Sequence, residues 1–343
     1  MENKPEFRIV GNAPEEKKEA VKEELIRRLF DNFNELPQEC KEKLRKLECP
    51  KSDKELVLID FADKFTNNLM MKAGVGPYNI PSDNYRIIPP ELYEEFAEPT
   101  NENEMGSAHY SRQGLLFNAK FCRRNPLDFG ALALHETLHL KGGLTQEVGE
   151  YNGNEEKTVF TAGISALSSQ KTDHDKREHR HHKGLDEAIV TRAEKMAYHE
   201  ILRIPILAEE KKWMESDEAK EKIKKIAITA NRPEDDIIFV ERDSDQKNLF
   251  AYYRQRQVLD LLCGEIQKDN PDKYKSTEDV FGEFLRAHFT GKLIAIVKLV
   301  DGSFGEGGFR ILGNMDETNQ SGVLHFETMK MLRRKHLKLK KNS

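Results

Sequence analysis

Asn125-Pro126-Leu127-Asp128-Phe129-Gly130-Ala131-Leu132-Ala133-Leu134-His135-Glu136-Thr137-Leu138-His139-Leu140-Lys141-Gly142-Gly143 reads as one helix with both ends marked. Asn125 is a capping residue, Pro126 suits the first helical position, Asp128 favours the positive end, and the two glycines stop it. The spacing predicts a helix over about 126–141. Within it, His135 and His139 stand four residues apart, on one face and one turn apart. Such a pair reaches a single ion at the ~2.0–2.1 Å zinc–nitrogen distance. Glu136 projects beside them, placed to take a proton from a metal-bound water. The flanks are apolar, so the helix is expected to be buried. Two histidines and a glutamate are costly there unless paired or metal-bound.

A catalytic zinc site takes three protein ligands and leaves a position for water. Thr145 occupies the slot where a third histidine would follow in an HExxHxxGxxH pattern. The better candidate is Glu187, 48 residues beyond His139, in Gly184-Leu185-Asp186-Glu187-Ala188-Ile189. Asp186 is read as the cap of a helix running to about 202, with Glu187 in its first turn. Glu187, Thr191, Glu194 and Tyr198 form a polar stripe on that helix, and Ile189, Ala193, Met196 and Ala197 form its apolar side. A stripe of this kind is ordinarily a solvent-facing surface.

The pair His135-Glu136-Thr137-Leu138-His139 and Leu185-Asp186-Glu187-Ala188-Ile189 resembles the gluzincin metallopeptidases, the thermolysin-like and minigluzincin-like zinc hydrolases. The resemblance is at motif level and covers residues 55–202. It implies a zincin-like α+β fold, with zinc held by His135, His139 and Glu187 and Glu136 as general base and acid. It also implies a short sheet ahead of the active-site helix, with an edge strand that pairs with substrate backbone; residues 115–121 match that strand by position. The family places an aspartate four residues after the third ligand, where this chain has Thr191. Glu194 or another carboxylate is then needed to orient the first histidine. A Tyr or His usually stabilises the oxyanion, and Tyr151, Tyr198, His199, Tyr252 and Tyr253 are the candidates.

Elsewhere in the chain, residues 7–10, 56–61 and 85–88 read as strands. Residues 107–110 and 115–121 read as a hairpin. Val21, Leu25, Leu29 and Phe33 mark one helix face. Residues 158–168 read as extended, and a His-rich run over 171–183 (His174, His179, His181, His182) as a loop. Beyond 205 the pattern is mainly helical, with a capping box at Ser276-Thr277-Glu278-Asp279. Two regions are expected: a metallopeptidase domain over 1–204 and a mainly helical region over 205–343. The basic run at 330–341 reads as a solvated tail helix, and the glycines at 302–308 lack the Lys-Ser/Thr of a phosphate loop.

The 343 residues include 60 acidic and 55 basic side chains, a net charge of −5, so no nucleic-acid partner is expected. No eighteen-residue apolar window exists, so no membrane span is expected. The first residues lack the apolar core of a secretory signal, and the four cysteines show no CxxC spacing. A cytoplasmic protein with free thiols is expected. The function expected is hydrolysis of peptide or protein substrates by a zinc metallopeptidase. The alternatives are a non-catalytic zinc-binding interaction protein and a metal-dependent hydrolase of non-peptide bonds. The oligomeric state is left open.

Overall fold

The computed structural model describes residues 4–30, 38–97, 104–151, 154–172, 175–244 and 246–342. Its architecture is mixed α+β, with helices around three small sheets. Pro126–Lys141 forms the central helix, with the Asn125 side chain accepting the N–H of Leu127. It is buried along nearly its whole length, as its apolar flanks predict.

Asp53–Lys72 packs along one side of this helix. The strand expected over 56–61 is therefore a helix. Ser52 starts it: its hydroxyl accepts the N–H of Glu55, and the Glu55 carboxylate accepts the N–H of Ser52. Leu58, Ile59 and Ala62 face the core, while Leu56 and Val57 lie exposed on the outside. At the far end of the central helix, Lys141 is buried and bonded to Asp63, Thr66 and Asn67. That fixes the histidine-bearing turn against the neighbouring helix.

A three-stranded sheet covers the central helix, in the order Tyr85–Ile88, Gly114–Asn118, Gly106–His109. The first two strands are parallel and the last two antiparallel. The expected edge strand 115–121 is thus the middle strand, and Gly106–His109 is the edge. The middle strand also stops at Asn118, whose side chain caps a helical turn over Ala119–Cys122.

A second sheet joins Arg8–Val10 to four antiparallel strands: Leu144–Tyr151, Asn154–Ala162, Ser165–Thr172 and Asp175–His181. The extended stretch at 158–168 is therefore two strands around a turn at Gly163-Ile164. Part of the expected His-rich loop is strand; His174 lies outside the described residues, as does Phe33. Glu15–Phe30 buries Val21, Leu25 and Leu29, the expected face.

The helix expected over about 186–202 runs over Lys183–Ile201. Asp186 is not its cap. His182 holds that position in a left-handed conformation, and Asp186 lies inside the first turn with its carboxylate committed elsewhere. Ile189, Ala193 and Ala197 are buried, but Met196 is exposed at 43%.

Beyond 205 the helices Tyr253–Asp269, Thr277–Thr290, Ile294–Phe304 and Asn319–Asn342 dominate, with a strand pair Ile237–Val240 and Lys247–Leu249. The Ser276 capping box forms as expected. The basic terminal helix is anchored rather than wholly solvated: Arg333 is buried and bonded to Glu265 and Asp269. One contiguous core runs from Leu58 and Leu134 through Ile189 to Leu262, Phe284 and Phe304. Among the described residues no helix is long and apolar enough to cross a membrane.

Candidate metal centre

His135, His139 and Glu187 meet on the inner side of a cleft of about 680 Å³. The two Nε2 atoms are 3.2 Å apart, and Glu187 Oε2 lies 3.2 Å from His139 Nε2 and 3.4 Å from His135 Nε2. Tetrahedral zinc with ~2.0–2.1 Å bonds needs donors about 3.3–3.4 Å apart. The three atoms therefore have the spacing and the donor chemistry that such an ion requires. Among the described residues no fourth His, Cys, Asp or Glu joins the group.

The three side chains stabilise one another's charged forms. Burial disfavours charged imidazoles, yet the Glu187 and Glu194 carboxylates outweigh it and push the His135 ring up to about 10. His139 is likewise driven up, mainly by Glu187 against its own burial. In return the two rings hold Glu187 well below the usual carboxylate range despite burial. A divalent ion held by these atoms would supply the positive charge that the rings otherwise take up as protons.

Partners behind the rings set their orientation. Glu194 Oε2 lies 3.0 Å from His135 Nδ1, so that nitrogen donates outward and Nε2 faces the other donors. Glu194 is one of the carboxylates expected to stand in for the family's aspartate, whose position Thr191 occupies, and it is the one that meets His135. The Thr191 hydroxyl is buried and has no hydrogen-bond partner among the described residues. The stripe Glu187, Thr191, Glu194 and Tyr198 is thus an inward face, not a solvated one.

Behind His139 stands Asp186. Its Oδ2 is 3.6 Å from His139 Nδ1, a charge contact too long for a hydrogen bond. Its Oδ1 accepts the N–H of Ile164 and meets His288 Nδ1, both at 2.9 Å. His288 Nε2 in turn donates to the Leu138 carbonyl at 3.0 Å. Gly163, at φ +60°, makes room for this pair, since a Cβ there would come within 2.3 Å of Asp186 Oδ1 and 2.6 Å of His288 Nδ1. His288 belongs to the region after 205 and carries no local motif, so sequence spacing gives no sign of it.

Glu136 lines the cleft, and burial raises its carboxyl pKa. It rests against Gly106, where a Cβ would lie 3.3 Å from Glu136 Cγ. The edge strand Gly106–His109 runs along the cleft. Of the expected aromatic candidates, Tyr252 reaches the site: its ring lies over His135, with centroids 6.3 Å apart. The Glu187 carboxylate, and burial after it, keep that phenol protonated. Tyr198 is spent on the Ile238 carbonyl, and His199 is exposed. Tyr253 faces a neighbouring cavity, and the Tyr151 side chain lies outside what is described. Tyr110, absent from the sequence candidates, also lines the cleft.

The described histidines of the His-rich run stand outside the candidate group. His179 and His181 meet edge to face, and His182 stacks on Phe309. No family model matches the chain, and no curated protein or solved structure is significantly similar to it.

Proposed function

We infer that this chain is a zinc-dependent metallopeptidase of zincin-like fold, acting on peptides. The observation that carries the reading is the triangle of His135, His139 and Glu187 donors, with Glu136 beside it and an open cleft in front. The motif resemblance to gluzincins points the same way. A purely structural zinc is ordinarily closed by a fourth protein donor. Among the described residues Cys49, Cys122 and Cys263 are free thiols, which fits the cytoplasmic setting.

When bound, zinc supplies Lewis acidity at the scissile carbonyl. The chain's own residues do the rest. The free edge of Gly106–His109 offers backbone donors and acceptors to an extended substrate, which adds as a further strand. Glu136, its carboxyl raised by burial, takes a proton from the attacking water and delivers it to the leaving nitrogen. The Tyr252 phenol donates to the oxygen on which negative charge develops. His135 and His139, oriented through Glu194 and Asp186, keep the reacting centre at fixed depth beneath the strand.

The test is a defined peptide mixture incubated with zinc-loaded protein and read by mass spectrometry. Cleavage that disappears with a chelator, returns with zinc and is absent in Glu136→Gln supports the reading. Wild-type cleavage rates in Glu136→Gln would overturn it.

A further inference from the structure

The cleft continues past Tyr252. Leu249, Ala251, Tyr252 and Glu317 line both the metal cleft and a second cavity of about 970 Å³. Either volume alone falls within the ~300–1,000 Å³ of a small-molecule site; joined end to end they suit an extended chain. Tyr252 marks the junction, in a left-handed conformation (φ 51°) that disfavours a residue with a Cβ. The turn carries the Tyr252 ring to His135, while Tyr253 lines the second cavity.

That second wall holds more positive charge than it neutralises. The guanidinium carbons of Arg232, Arg254 and Arg256 lie 4.7, 5.4 and 5.6 Å from the Tyr253 ring centre. Arg232 and Arg256 share the buried Asp236 carboxylate, which Lys195 also contacts. Among the described residues no carboxylate pairs with Arg254, whose Nη1 donates to neutral Gln257 at 2.9 Å. Glu317, the acid at the junction, is taken by Lys183 at 2.8 Å. A guanidinium left this way presents a planar fork that matches a carboxylate. Val323 and Leu324, both exposed, add apolar wall around it.

We propose that the second cavity is a substrate subsite in which Arg254 binds a carboxylate of the peptide lying across the metal centre. The carboxylate belongs either to an Asp or Glu side chain or to the peptide's free C-terminus. The proposal rests on the peptidase reading and narrows its substrates to peptides carrying an anion at a fixed distance from the scissile bond.

The experiment uses a dodecapeptide library with one Glu or Gln placed at each position in turn, as C-terminal acids and amides. Wild type, Arg254→Gln, Arg254→Lys and Arg254→Glu are compared for cleavage. The wild type is expected to favour Glu at one position, or the free acid over the amide, by about tenfold in kcat/KM. Arg254→Lys keeps the sign of that preference at a reduced ratio, since it retains the charge without the fork, Arg254→Gln loses it, and Arg254→Glu turns it against the anion. A preference for side-chain Glu and a preference for the free acid identify the two sources separately. The same ratio in wild type and Arg254→Gln, or no preference in the wild type, overturns the subsite.

A binding arm separates this from the parent reading. Fluorescent Glu and Gln peptides are titrated onto the full chain with Glu136→Gln, with and without Arg254→Gln. Binding that favours the anion only when Arg254 is present supports the subsite even if the wild type cleaves nothing, and then the peptidase reading alone falls. Anion preference that survives Arg254→Gln overturns the subsite.

Discussion

His288 Nδ1 sits 2.9 Å from Asp186 Oδ1, so a residue from the C-terminal helices braces the carboxylate behind His139, a candidate ligand. Both partners are almost fully buried, and Ile164 N–H completes the contact. The candidate metal centre is therefore built from both halves of the chain.

Zinc affinity should follow this contact. His288→Gln keeps a donor for the Leu138 carbonyl but removes the one that faces Asp186. His288→Asn places an amide near the old Nδ1. We expect about 10–100-fold weaker zinc binding for the Gln variant and a smaller loss for Asn. Competition against a chromophoric chelator measures both. Equal affinity in all three proteins would mean that His288 only packs.

Gly106 is expected to set the position of Glu136. A Cβ there meets Phe117 Cδ1 at 3.2 Å and Glu136 Cγ at 3.3 Å, closer than ordinary contact. Gly106→Val should displace the carboxyl and lower kcat by about 10–100-fold while zinc content stays at the wild-type level. Parallel loss of metal and activity would place the effect elsewhere.

The legibility of this molecule was uneven for physical reasons. The central helix could be read because Asn125, Pro126 and Gly142 punctuate it locally, and the i, i+4 histidines share a face. Residues 56–61 misled because a short apolar run carries no period of its own; Ser52 and Glu55, three apart, were the overlooked helix signal. The edge strand was misplaced because sheet order depends on pairing between distant segments. The spacing alone does not settle the role of Glu194, since a stripe of polar residues looks the same facing a metal or facing water. His288, Tyr110 and Arg254 act through tertiary contacts, which single-chain spacing does not encode.

Acid sensitivity should be traceable to His109. Burial, and Arg112 beside it, push this ring from 6.5 down to about 4. The unfolded chain therefore binds more protons between those values, and folding stability falls as pH drops from 6.5 to 4. The shift corresponds to about 3.4 kcal/mol at most, and the contribution to stability is smaller because the ring is not fully enclosed. His109→Gln should flatten that part of the curve in urea titrations. Chelator is present throughout, so that metal loss does not contribute. An unchanged slope would exclude His109 as the source.

The most direct measurement is anomalous diffraction at the zinc edge from crystals of the zinc-loaded protein. The account predicts one strong peak bonded to His135 Nε2, His139 Nε2 and a Glu187 carboxylate oxygen at ~2.0–2.1 Å, with its remaining side open to the cleft. No peak among those three side chains, or an ion held by other residues, would contradict it.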